Sequence, residues 1–169
     1  MMNFDNPKLK IELDRNDLIL ELLGWGTVIL CFCLPIFYYA DLPENVASHF
    51  DMSGNVDGYS GRWMLFFMPC VNLAVYGLLF YLHQVPHLHN YHDEITIENA
   101  QGYYTISTKF IRYINVITAL LLLYIEYQMV MAALTNESLF NTWSIGLYMI
   151  LVTLGVVWYF MENRQLKKN

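Results

Sequence analysis

Charge is what this chain has least of. Asp, Glu, Lys and Arg supply 14% of its 169 residues, against roughly 25% in an average soluble domain. That scarcity argues against a water-soluble globule. The charges present lie in tails and loops, and no basic patch interleaved with aromatics occurs, which argues against a nucleic-acid partner. Cysteine is scarce as well: Cys31, Cys33 and Cys70 all fall inside apolar runs. Cys31 and Cys33 are two apart on a helical stretch and so point in different directions. No disulfide or zinc framework follows from them, and they read as small buried hydrophobes. Nothing resembles a phosphate-binding loop, a nucleophile elbow or a metalloprotease helix. No cofactor is implied, and an enzymatic reading has the least support.

What the chain does have is apolar surface: 56% hydrophobic residues and 16% aromatics. That surplus suits helices whose outer faces meet lipid, with Tyr and Trp at the interfaces. Four runs stand out, at about 18–40, 63–83, 110–134 and 143–161. A run of about 20 residues crosses a hydrocarbon core of roughly 30 Å. The first run is too long for a cleaved signal peptide and ends in Tyr38, Tyr39 and Ala40, so it reads as a retained span. Asn16 or Asp17 is its expected N-cap, and Glu21 in its first turns is placed to reach headgroups or the helix N-terminus. Pro35 and Pro69 are expected to kink the first and second spans. From about Thr96 the pattern is helical through Leu134, which predicts a long helix whose first turns project into water.

The expected fold is therefore an all-α integral membrane protein with four transmembrane helices. An N-terminal segment occupies 1–17, the four-span domain 18–162 and a short tail 163–169. Four spans place both termini on one side. That side collects Lys8, Lys10, Arg15, Lys109, Arg112, Arg164, Lys167 and Lys168, leaving Arg62 alone on the other. By the positive-inside rule both termini are cytoplasmic, with lipid as the first partner.

Between the first two spans lies the longest hydrophilic run, 41–62. Ser53-Gly54-Asn55 and Asp57-Gly58 are turn signals. They predict a small ordered extracytoplasmic hairpin that brings His49 close to Asp57 and Gly58. A His beside a carboxylate can be an oriented base, a pH-sensitive pair, half a metal site, or a hydrogen bond that holds a loop together. The candidate ligand-binding set is His49, Phe50, Asp57, Gly58 and Tyr59.

Here a resemblance becomes visible. Leu42, Pro43, His49, Phe50, Gly54, Asp57, Gly58 and Tyr59 follow the leading motif of the SdpI-type immunity protein family: Leu-Pro, a spacer, His-Phe, Gly, then Asp-Gly and an aromatic. A second family motif resembles Asn90, Tyr91, Ile95, Thr96, Glu98, Asn99, Ala100 and Tyr103 or Tyr104. Together the two cover about residues 20 to 115. Ser48 stands where the family usually has proline, and His92 where proline follows the Tyr. The resemblance implies a bacterial cytoplasmic-membrane protein corresponding to the leading module of longer relatives that carry further spans. It also implies immunity to a secreted peptide toxin, or signalling, with an outward loop that meets a peptide and a cytoplasmic motif (Asn90, Tyr91, Thr96, Glu98, Asn99) that relays state or anchors helices.

Two further constellations remain. His87, His89 and His92, followed by Asp93 and Glu94, can bind a transition metal or be solvated loop residues; a bilayer separates them from His49. Arg112, Asn115, Ala119, Leu122 and Glu126 recur at helical spacing on one face of the third span. An intramembrane carboxylate costs about 2.5–3.5 kcal/mol on insertion scales and is a functional candidate. Glu126, Asn115 and Asn72 therefore support a second reading, a transporter or channel-like subunit, which with four spans needs a homo-oligomer. The quieter reading has Glu126 near the outer interface or bonded to Asn72 or Tyr124. A metal-dependent membrane enzyme is the third. Asn136-Glu137-Ser138 fits a glycosylation sequon that matters only in a secretory pathway.

Overall fold

The computed structural model describes residues 6–51, 53, 55–135 and 143–167. Four helices long and apolar enough to cross a membrane dominate it, with one small β-hairpin. The fold is an all-α membrane protein, as the composition predicts. Gly54 and the 136–138 sequon lie outside the described residues.

Helix α1 (Arg15–Tyr38) starts earlier than expected because Asp14, not Asn16 or Asp17, is its N-cap. The Asp14 carboxylate accepts from the Asn16 and Asp17 amides at 2.8 and 2.9 Å, while Asp17 accepts from the Asp14 amide at 3.0 Å. This reciprocal box satisfies three donors at once, which a cap two residues later does not. Pro35 is buried within α1, which continues to Tyr38.

The hairpin follows, β1 (Asn45–Phe50) antiparallel to β2 (Val56–Gly61). A 3₁₀ turn, Arg62–Phe66, leads into α2 (Phe67–Gln84). Pro69 therefore lies in the first α-helical turn, where a missing N–H costs little. Helix α3 (Ala100–Thr135) begins four residues later than the pattern suggests, because Thr96 to Asn99 form its leading turn. Its 36 residues span about 54 Å at 1.5 Å per residue, well beyond a hydrocarbon core of about 30 Å. Helix α4 (Trp143–Leu166) completes the set.

α3 is the axis. It packs on α1, α2, α4 and β1, and its buried face carries small and polar residues between large ones. Two glycine notches permit close approach. A Cβ on Gly24 would lie 2.4 Å from the Tyr76 ring and hydroxyl, and one on Gly155 would lie 2.7 Å from Tyr113. Tyr76 donates to the Glu21 carbonyl at 3.2 Å, and Tyr113 to the Leu151 carbonyl at 3.0 Å. α4 otherwise leans on α3 from outside, and Gly155 is its one buried residue among those described. Of the cysteines only Cys31 is buried; Cys33 and Cys70 are exposed on helix surfaces, which corrects the reading of all three as core.

The two ends differ. At one, Leu42, Val46 and Leu65 bury against Met129, Val130 and Ala133, clamping the hairpin to the bundle. At the other, residues 7–14 form an extended strap. Leu9 and Ile11 pack with Ala100, Tyr103, Tyr104 and Leu166. Tyr104 donates to the Pro7 carbonyl at 2.9 Å and the Asn6 amide to the His87 carbonyl at 3.1 Å. The N-terminal strap, the 85–99 loop and the end of α4 thus share the end opposite the hairpin.

Candidate functional site

The hairpin's pairing fixes its chemistry. His49 lies opposite Gly58, with irregular register on either side of it. A Cβ on Gly58 would stand 3.1 Å from the His49 Cβ, so glycine there lets the two strands close. His49 Nδ1 donates to the Asp57 carboxylate. Both groups face solvent, their side chains 73% and 46% exposed. Tyr59, opposite Ala47, is 68% exposed. Phe50 pairs with Val56; its side chain lies outside the description. At the tip, Asp51 accepts from the Ser53 and Asn55 amides at 2.8 and 2.9 Å, an Asx-type turn that orders the loop. Ser48, at the position where proline is usual in the resembled motif, bonds Ser60 across the strands at 3.0 Å. Arg62 stacks 4.6 Å over Tyr39 at the hairpin's foot.

At the opposite end, the 90–104 motif makes mainly local bonds. The Thr96 amide donates to Asn99 Oδ1 at 2.9 Å, the Asn99 amide to Thr96 Oγ1 at 3.4 Å, and Asn99 Nδ2 to the Glu94 carbonyl at 3.0 Å. This is a capping turn for α3. Tyr91 donates to the Pro86 carbonyl at 2.9 Å and its ring meets Tyr103 and Tyr104; burial pushes its hydroxyl's pKa up. Asn90 and Glu98 are exposed. His89 donates from Nε2 to the Leu82 carbonyl at 2.8 Å and accepts at Nδ1 from the Ser107 hydroxyl. That network fixes one neutral tautomer, and burial holds the imidazole's pKa below its usual value. Asp93 accepts from Lys167 at 2.7 Å and Tyr103 at 2.9 Å; the Lys167 ammonium lowers its pKa. His87, His89 and His92 do not converge: among the described residues no group of three or more His, Cys, Asp or Glu is placed to hold a metal ion.

Glu126 is wholly buried and neither carboxyl oxygen has a hydrogen-bond partner. It bonds neither Asn72 nor Tyr124. Asn72 instead donates to the Ala119 carbonyl at 3.2 Å and Asn115 to the Tyr76 carbonyl at 3.1 Å, since each finds a backbone acceptor on the facing helix. The amide oxygens of both are also unpartnered.

A second buried constellation escaped the sequence reading. Arg112, whose side chain is 4% exposed, donates from Nε to Glu21 at 2.9 Å and lies 3.4 Å from Asp17. His83 Nε2, on a side chain 2% exposed, meets the same Glu21 oxygen at 3.2 Å. Glu21 thus turns inward to bind two helices and does not reach for headgroups. The available signal was the Asp17/Glu21 spacing of four on α1, opposite an arginine within an apolar face.

The hairpin lies within a stretch that matches a protein family. Residues 26–73 match a family described as "Domain of unknown function (DUF1648)". The match runs from the middle of α1 through both strands into the first turns of α2, less than a third of the chain. No curated protein and no solved structure matches this sequence.

Proposed function

We propose that this is a membrane recognition protein whose hairpin meets a peptide ligand on the outer face of a cytoplasmic membrane, in the manner of SdpI-type immunity or signalling proteins. One observation carries the reading. The hairpin's inner residues are locked into the bundle core, yet His49, Asp57 and Tyr59 are held ordered and exposed. Exposed polar and aromatic side chains on a loop fixed by a rigid scaffold are the usual make-up of a binding surface. A two-stranded sheet also leaves the outer edge of each strand without a strand partner, which a peptide can extend. The resemblance in the 42–59 motif and the family match at 26–73 support the same stretch.

The orientation rests on the basic residues gathered at the strap end. Reporter fusions after residues 55 and 167 test it: activity of an externally active reporter at the tail would reverse the topology. For recognition, the protein in nanodiscs is panned against a random peptide library alongside Tyr59→Ala and His49→Ala. Peptides enriched on the wild type and lost on both variants are expected. Enrichment that ignores both variants would remove the hairpin from the reading.

A second reading has its own observation, the unpartnered buried Glu126. A homo-oligomer that moves a proton or cation through it should lose flux in Glu126→Gln vesicles; unchanged flux ends that reading.

A further inference from the structure

Near the end of α4, a chamber of about 270 Å³ lies between that helix, the start of α3 and the 91–93 loop. Its walls are aromatic, with Tyr103 and Phe160, and its polar lining includes His92, Asp93, Arg164 and Lys167. It sits at the end of the bundle opposite the hairpin, outside the family match. Neither the hairpin reading nor the Glu126 reading uses it.

Two features point to a ligand with a charged head and an apolar tail. The first is the balance of charge. Asp93 is the one acid among the described residues that line the chamber, and it already accepts from Lys167 at 2.7 Å and from Tyr103 at 2.9 Å. Arg164 is exposed and has no ion pair among the described residues. Glu162, two positions earlier on α4, points to nearly the opposite side and does not line the chamber. One positive charge is left over. A basic residue in the last turn of a helix is ordinary by itself, and the second feature sets this one apart. Val157, Phe160, Arg164 and Lys167 recur at helical spacing and share one face of α4. Val157 and Phe160 are exposed. The level of Arg164 is about 6 Å beyond Phe160 at the helical rise. An exposed apolar strip that gives way to cations within one turn has the profile of a phospholipid, chain first and phosphate next.

We infer that this chamber holds the headgroup of an anionic phospholipid from the leaflet at the strap end. The Arg164 guanidinium donates to the phosphate oxygens as a planar fork. Lys167 neutralises Asp93, so the carboxylate does not repel the anion. His92 adds a ring N–H from the loop. The acyl chain lies along Phe160 and Val157. A lipid is a better occupant than a soluble anion for a reason of concentration. A free phosphate meets one exposed guanidinium in water, which is worth little. The bilayer holds a headgroup at this height and presents it to Arg164 at high effective concentration. Basic pockets between membrane helices recur as sites for such headgroups.

The full chain in detergent is analysed by native mass spectrometry with phosphatidylglycerol and, separately, with phosphatidylcholine, whose phosphate is offset by a fixed cation. Arg164→Gln is the test variant. Arg15→Gln is the control, because Arg15 is exposed at the same end of the bundle but does not line the chamber. Neither change breaks an ion pair among the described residues. Phosphatidylglycerol adducts should exceed phosphatidylcholine adducts. Arg164→Gln should cut them about fivefold, the worth of one basic residue beside an anionic head, and Arg15→Gln should leave them unchanged. No preference for phosphatidylglycerol, or adducts that survive Arg164→Gln, overturns the inference. An equal loss in both variants overturns it too, since the lipid would then follow net charge alone. Inorganic phosphate titrated by calorimetry should not bind. Saturable phosphate binding that Arg164→Gln abolishes would make this a soluble-anion site and overturn the lipid assignment.

Discussion

Arg112→Met should be the most damaging single substitution at the strap end. The guanidinium is 4% exposed and lies between Glu21 at 2.9 Å and Asp17 at 3.4 Å. Methionine fills similar volume, so the loss is electrostatic and not a cavity. Removing one partner of a buried ion pair leaves its mate uncompensated, at a cost of about 3–5 kcal/mol. At 1.4 kcal/mol per tenfold, that is roughly two to three and a half orders of magnitude in the folding equilibrium. The assay is reversible unfolding in mixed micelles, followed by helical circular dichroism. The double variant Arg112→Met/Glu21→Gln should recover part of the loss, because one of the two carboxylates left unpaired goes with the guanidinium while Asp17 stays. The side-chain amide that Glu21→Gln introduces still offers His83 a carbonyl acceptor, so the recovery reports the charge and not the bond. A loss below about 1 kcal/mol, the worth of an exposed pair, would refute the claim that this cluster is desolvated. A double variant no better than the single would place the damage at Asp17 or in packing instead.

Glu126→Met should raise stability by about 1–3 kcal/mol in the same assay, since the carboxyl oxygens are buried without partners; a fall would mean that the carboxyl holds something. Gly24→Ala should destabilise by roughly 1–3 kcal/mol, because its Cβ would overlap the Tyr76 ring at 2.4 Å, and Gly24→Ala/Tyr76→Leu should regain part of that; an unaffected single variant would contradict the notch. His89 gives a pH signature. Burial lowers its folded pKa beneath the ordinary value of about 6.5, so the unfolded chain binds the proton more readily. The stabilisation is complete above about pH 6.5 and declines as pH falls towards the folded value. The stability difference between wild type and His89→Gln should shrink over that interval, and a difference constant with pH would exclude the buried neutral tautomer. Val46→Asp should free the hairpin from Met129 and Val130, read as protease cleavage within 45–61 while α1, α2 and α3 stay intact.

The spans were legible because a bilayer demands length and apolarity, and both are written into runs such as 18–40 and 143–161. The hairpin was legible for another local reason. Asp57-Gly58 and the turn around Ser53 fix the reversal, and the reversal carries His49 to Asp57. What stayed hidden depends on partners distant in the chain. Glu21 and Arg112 are 91 residues apart, and nothing near Glu21 says that it turns inward rather than towards lipid headgroups. The Asp14 cap was missed because Asn16 and Asp17 are equally good capping types, and only the reciprocal bond decides among them. The run from Thr96 to Asn99 read as the start of a helix with a relay motif; its bonds are those of the turn before one. The notches at Gly24 and Gly155 have no sequence signal, because each exists only where another helix's tyrosine arrives.

The strap also bears on how the molecule is made. Residues 6 and 7 bond to His87 and Tyr104, up to 97 positions later in the chain. Until α3 begins to emerge this segment lacks the partners that hold it, so its docking waits on a helix made much later. The strap thus closes one end of the bundle only after the helix that receives it has been made.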